Sequence, residues 1–374
     1  MTTPRTPDTV QTGHLALVRN CIAAAVAICF SLNPADVIAG DSDFIIFLSA
    51  EYDARNGVSD NVYPNSDFTP SVDLLYTYGN GPWRILGEYY LTDDESELER
   101  LQLGYDINQN STAWLGRYHQ PLSTWNFKYH HGAFLQSSIS RPAIENWEDE
   151  DGVIAQHATG AMFESNVRGR NGSGIRYTIA AGIGPTYEDG ELYPYDVFDP
   201  DDLDGGIATS FAVSFYPDYV DSSNFGMVGG YTDLVVPPSM SLGNIAEFEI
   251  RQYLFGAQVD WETRWWQLIA AAYYVDSKPD DGYTQYGGHF VSAYAQLIRE
   301  LNESFDFYVR LEGGINTRSA GYLSLFPAFI TRRALIGSRF DFTARQAIAI
   351  EISAVETRQD RFGEISLQWS GVFQ

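Results

Sequence analysis

The chain is 374 residues long, 14% aromatic, with 33 glycines and a formal net charge of −26. So acidic a chain is poorly suited to nucleic acid, and no nucleic-acid partner is expected. No apolar run reaches the ~20 residues of a membrane helix, and the two cysteines, Cys21 and Cys29, share one short N-terminal apolar stretch.

That stretch is the first predicted element. "CIAAAVAICFSL" follows Arg19 and precedes "NPADVIAG". A basic flank, a short apolar core and a small-residue exit read as a secretory signal peptide over residues 1–39, cleaved after Ala39 with Val37 at the −3 position. A buried core helix is the competing reading. The mature chain, 40–374, is expected to be one domain. It has no cysteine, which excludes disulfide and thiol chemistry, and its net charge is unchanged because Arg5, Arg19, Asp8 and Asp36 leave together.

From residue 44 onward apolar and polar residues alternate. "SVDLLYTY" sets Val72, Leu74, Tyr76 and Tyr78 against Asp73, Leu75 and Thr77, and "LERLQLGYDI" sets Leu101, Leu103, Tyr105 and Ile107 against Arg100, Gln102, Gly104 and Asp106. After the irregular stretch 125–157 the pattern returns. Phe305, Phe307, Val309 and Leu311 share a face, as do Ile348, Ile350 and Ile352, and then Ile365, Leu367, Trp369 and Phe373. Period two gives each segment one apolar and one polar face.

The segments run to about ten residues, the length of a membrane-spanning strand. Aromatic pairs such as Tyr89-Tyr90, Trp265-Trp266 and Tyr273-Tyr274 sit near segment ends, where an interfacial girdle belongs. Strands are expected near 44–53, 68–78, 83–92, 98–107, 112–119, 155–164, 174–183, 206–216, 224–234, 246–260, 264–276, 287–300, 304–314, 329–342, 345–357 and 361–373. Tight turns ("GNGP", "NQNS", "DWETR", "LNES") alternate with longer loops rich in Asp, Pro and Gly. The expected fold class is therefore all-β: a transmembrane antiparallel barrel of about sixteen strands, because only a closed sheet satisfies its backbone in lipid.

Strand count and loop position together resemble the sixteen-stranded porins of Gram-negative outer membranes. The resemblance implies an outer-membrane location, lipid and lipopolysaccharide around the barrel, a homotrimer, small solutes as cargo, and a third outside loop, residues 120–154, folded into the barrel. The family's common acidic loop motif is not recognisable here, so no residue role is carried over, and the chain ends one residue past the terminal Phe expected of the family.

The residues themselves point to a lined pore. The third loop carries Glu145, Glu148, Asp149, Glu150 and Asp151. Arg84, Arg100 and Arg117 hold polar-face positions on the third to fifth strands, and Arg310, Arg333, Arg339 and Arg345 do so near the C-terminal end. A charge facing lipid at mid-membrane costs roughly 2–4 kcal/mol, so these side chains should enter the lumen, opposite the loop acids. Lys128 and Lys278 are the only lysines. His119, His130, His131 and His157 raise a metal site, against which the adjacent pair would diverge in extended backbone. Pore-lining or packing histidines, and no cofactor, are the expectation. An outer-membrane hydrolase using His157, Asn126 and a serine is the rival class; no nucleophile-elbow motif supports it. A non-conducting receptor or adhesin would need more prominent outside loops. The reading is a passive channel for small hydrophilic or ionic solutes, and not an enzyme.

Overall fold

Alternation sets the architecture. With side chains pointing to opposite faces at every step, a strand that is apolar on one face can bury or expose that face as a unit. The computed structural model describes residues 41–58, 63–93, 96–129, 132–148, 151–195, 205–219, 222–238, 246–280 and 282–374. The expected leader, His130, His131, Asp149 and Glu150 lie outside the described residues.

Seven strands open the barrel: β1 (Asp41–Asn56), β2 (Ser66–Asn80), β3 (Trp83–Leu91), β4 (Ser96–Asn108), β5 (Ser111–His119), β6 (His157–Arg168) and β7 (Gly174–Ile183). A small hairpin, β8 (Thr186–Glu188) and β9 (Glu191–Tyr193), interrupts the ring. The ring resumes with β10 (Ile207–Tyr216), β11 (Asn224–Val236), β12 (Phe248–Glu262), β13 (Trp266–Pro279), β14 (Gly288–Asn302), β15 (Phe305–Ile315), β16 (Arg332–Thr343), β17 (Gln346–Glu356) and β18 (Arg361–Phe373). Each ring strand pairs antiparallel with its neighbours. β7 pairs directly with β10, and β1 closes on β18 from Ile46↔Phe373 to Asn56↔Gly363. Sixteen strands form the wall, as the alternation predicts.

The outward face of every wall strand exposes a large apolar side chain. Leu103, Leu115, Ile179, Phe211, Met227, Phe255, Leu311, Ile350 and Leu367 are examples. Such a continuous apolar surface, far larger than the patches monomeric soluble proteins expose, is a lipid-facing surface. Near the short turns the band ends in aromatics: Trp83 meets Tyr105 edge-on at 4.9 Å, and the Arg299 guanidinium lies 4.7 Å from the Trp266 ring.

The inward face departs from the simple pattern. On β12–β14 it is apolar too, with Leu254, Ile269, Tyr273, Val275 and Phe290 buried. They share one hydrophobic cluster with Leu122, Trp125, Ile144 and Ile154 of the β5–β6 connection, with Tyr187 and Leu192 of the hairpin, and with Tyr322, Phe326 and Phe329 before β16. One side of the barrel therefore encloses a packed core.

Candidate functional site

The connection between β5 and β6, residues 120–156, carries its own structure. A short helix, α1 (Thr124–Lys128), is capped by Ser123, whose hydroxyl accepts from the Asn126 N–H at 3.0 Å. Two 3-10 turns follow, Ala133–Leu135 and Ala143–Glu145. Irregular backbone leaves carbonyls that need donors when buried, and the wall supplies them. Arg310 donates to the carbonyls of Ser140 (2.9 Å) and Arg141 (3.1 Å), Arg333 also to that of Arg141, and Arg339 to those of Phe134 (2.7 Å) and Gln136. Glu312 accepts from the Ala143 N–H at 2.8 Å, Tyr273 donates to the Leu122 carbonyl at 3.1 Å, and Gln252 to that of Val153 at 3.3 Å. All these wall residues belong to β12–β16, so these backbone groups of the segment are tied to that side of the wall, while the Ala133–Leu135 turn meets β1 and β18.

On the other side a cavity of about 380 Å³ remains, bounded by β1, β2, β18 and the segment. Its charged lining comprises Glu51, Asp53, Asp67, Asp151 and Glu364 against Arg55, Arg141 and Arg333. Arg55 bridges Glu364 at 2.6 Å and Asp53 at 3.3 Å. The Arg141 guanidinium rests 3.9 Å from the Trp147 ring centre and donates to the Glu145 carbonyl at 3.0 Å. The segment thus presents an arginine to the cavity, and most of the acids stand on the wall.

This placement differs from opposed loop acids and wall arginines. Glu145 is fully buried and accepts from the Tyr273 hydroxyl at 2.5 Å, on the β13 side. Burial pushes its carboxyl above the usual range, and the Tyr273 hydrogen bond opposes that shift. Glu148 accepts from the Gln156 N–H (2.6 Å) of its own segment and the His157 N–H (3.0 Å) at the start of β6, and Asp151 from the Tyr63 hydroxyl at 3.0 Å. Arg84 pairs with Asp106 near the β2–β3 turn, Arg100 with Glu88, and Arg117 with Glu97, all wall partners. Arg310 and Arg333 share Glu312, and Arg339 pairs with Asp341. Most of these arginines are committed to the segment's backbone or to wall carboxylates.

A second constellation lies where β3 to β6 end. A bulge in β4 sets Glu88 opposite Arg100 and Tyr89 opposite Leu98, leaving Glu99 as the extra residue. Gly116 has φ +126°, and a Cβ there would sit 2.0 Å from the Leu101 carbonyl oxygen. Pairing of β4 with β5 stops one step later at Leu101↔Arg117, while β5 continues beside β6 to His119↔His157. Arg117, His119 and His157 keep nominal step with the exposed Leu115, yet all three are buried and meet carboxylates of β3 and β4. His157 Nε2 is 2.8 Å from Glu99, its Nδ1 bonds Glu148, and Trp147 stacks on its ring. His119 Nε2 lies 3.7 Å from the same Glu99 oxygen and 4.0 Å from Glu88. His157, the candidate base of a hydrolase, is thus clasped by two carboxylates. Asn126 is engaged by Gln156 and Arg141.

A closed sixteen-stranded barrel, apolar outside and polar-walled along one inner side, has the architecture of the outer-membrane porins. No protein-family model matches the chain, and no curated protein matches it in sequence. Solved structures match in fold. The anion-selective porin from Comamonas acidovorans is 9% identical, with a TM-score of 0.59 over 89% of this chain and 100% of that one. The outer membrane channel DcaP of Acinetobacter baumannii is 10% identical, with a TM-score of 0.54 over 89% and 97%. OmpT, an in-vitro folded outer membrane protein of Vibrio cholerae in trimer form, is 10% identical, with a TM-score of 0.57 over 90% and 100%. At such identities the likeness is one of fold.

Proposed function

We propose that the protein is an outer-membrane porin, a passive diffusion channel for small hydrophilic or ionic solutes, constricted by residues 120–154. The single observation that carries this reading is the charged and hydroxyl-lined cavity of about 380 Å³ inside a lipid-facing barrel. Packing of the segment against β12–β16 directs the solute path along β1, β2 and β18. In this reading the chain carries a secretory leader over residues 1–39, lies in the outer membrane among lipid and lipopolysaccharide, and works as a homotrimer.

Charges at the mouths are screened beyond about 8–10 Å by physiological salt, whereas those in a narrow passage are screened far less. Five acids against three arginines in the lining therefore favour cations mildly at neutral pH. Planar-bilayer recordings of the purified barrel should give a stable open conductance with that preference. Glu51→Gln, Asp53→Asn and Glu364→Gln together should move it toward anions. Neutralising the exposed Glu188, Asp189 and Glu249 should move it less. Equal shifts from both sets would dismiss this path, and absence of conductance would dismiss the channel.

A further inference from the structure

We infer that Glu99, His119 and His157 form a binding site for one divalent transition-metal ion of the zinc class, which staples residues 145–157 to the β3–β4 wall. Each of the three offers one donor atom, and these atoms lie within 4.8 Å of one another. Donors about 3.3 Å apart surround a four-coordinate zinc with bonds near 2 Å. The His157–Glu99 and His119–Glu99 separations, 2.8 and 3.7 Å, bracket that value. Imidazole with carboxylate suits zinc, iron and nickel better than magnesium or calcium.

Two further observations are independent of these distances. Glu148 bonds His157 Nδ1 and Trp147 stacks on the ring, so Nε2 is held toward Glu99. A carboxylate on the far nitrogen is the usual outer partner of a metal-bound histidine. Charge is the other. Among the described residues here, Asp73, Glu88, Glu97, Glu99 and Glu148 are buried or nearly so, and the neighbouring arginines are Arg100 and Arg117. A divalent cation offsets most of that surplus, with Glu88, 4.0 Å from His119, as a further donor within reach. The inference does not depend on conductance.

The test uses the detergent-purified barrel without a polyhistidine tag, stripped with chelator and titrated with zinc chloride. One zinc per chain after dialysis is expected, with a higher unfolding temperature than the stripped protein and no such rise with magnesium. His119→Gln and His157→Gln should each weaken zinc binding at least a hundredfold, and Glu148→Gln about ten- to a hundredfold. Fewer than one zinc per ten chains, or wild-type affinity in both histidine variants, would overturn the site. So would a wild-type unfolding temperature that follows pH but ignores zinc, because protonated histidines would then supply the charge. This comparison of stripped and loaded wild type needs no variant to fold.

Discussion

Gly116 is the residue on which the second constellation turns. Its left-handed backbone and the carbonyl beside its missing Cβ permit β5 to leave β4. Gly116→Ala combines a disfavoured φ with a clash and should destabilise the barrel by about 1–3 kcal/mol. Gly81 serves as the control, with φ +58° but nothing within 4 Å. If Gly81→Ala costs as much in urea unfolding, the close approach at Gly116 carries no weight. Glu145 makes a pH prediction. Its carboxyl is raised above the usual range by burial, so the folded state holds that proton more tightly than the unfolded one. Stability from this group is therefore full below the usual carboxyl range and declines as pH rises through and above it. Glu145→Gln should flatten that decline, read by thermal unfolding at a series of pH values above the usual carboxyl range. A steeper decline in the variant would reverse the assignment.

At the scale of the element, the segment 120–156 is held by donors from the wall. Removing the Arg310 guanidinium leaves Glu312 to Arg333 and the Ala143 N–H and takes a donor from the Ser140 and Arg141 carbonyls, at a cost of about 1–3 kcal/mol. Arg310→Ala should lower the unfolding midpoint and raise single-channel conductance as the segment loosens. Unchanged conductance would mean that the segment does not narrow the passage. The strands were legible because β17 and β18 alternate cleanly: Ile348, Ile350, Ile352, Ile365 and Leu367 are exposed, while Glu351, Ser366 and Gln368 are buried. The inner core was less visible, although "LIAAAYYV" in β13 shows a warning. A run apolar at both parities is the mark of a strand covered on both faces. The partners of the loop acids could not be read at all. Glu99 meets His119 and His157 through a bulge that shifts the alternation by one, and the Glu145–Tyr273 contact joins residues 128 apart.

Across the whole molecule, spin labels at Ile348, Ile350, Ile352, Ile365 and Leu367 should all report hydrocarbon, with labels at Ser353 and Ser366 sheltered from it. Water contact at most of the first set would end the transmembrane reading. The seam between β1 and β18 has a consequence of another kind. Ile46 and Phe373 are partners at opposite ends of the chain, and pairings so distant in sequence form late, because loop closure must precede any gain from them. Side chains lace the same seam: Arg55 to Glu364, Ser366 to Asp53 and Gln368 to Glu51. These residues also line the cavity. The cavity proposed as the solute path is thus walled on that side only when the C-terminal strand pairs with the first, and a chain halted before residue 361 would lack that wall.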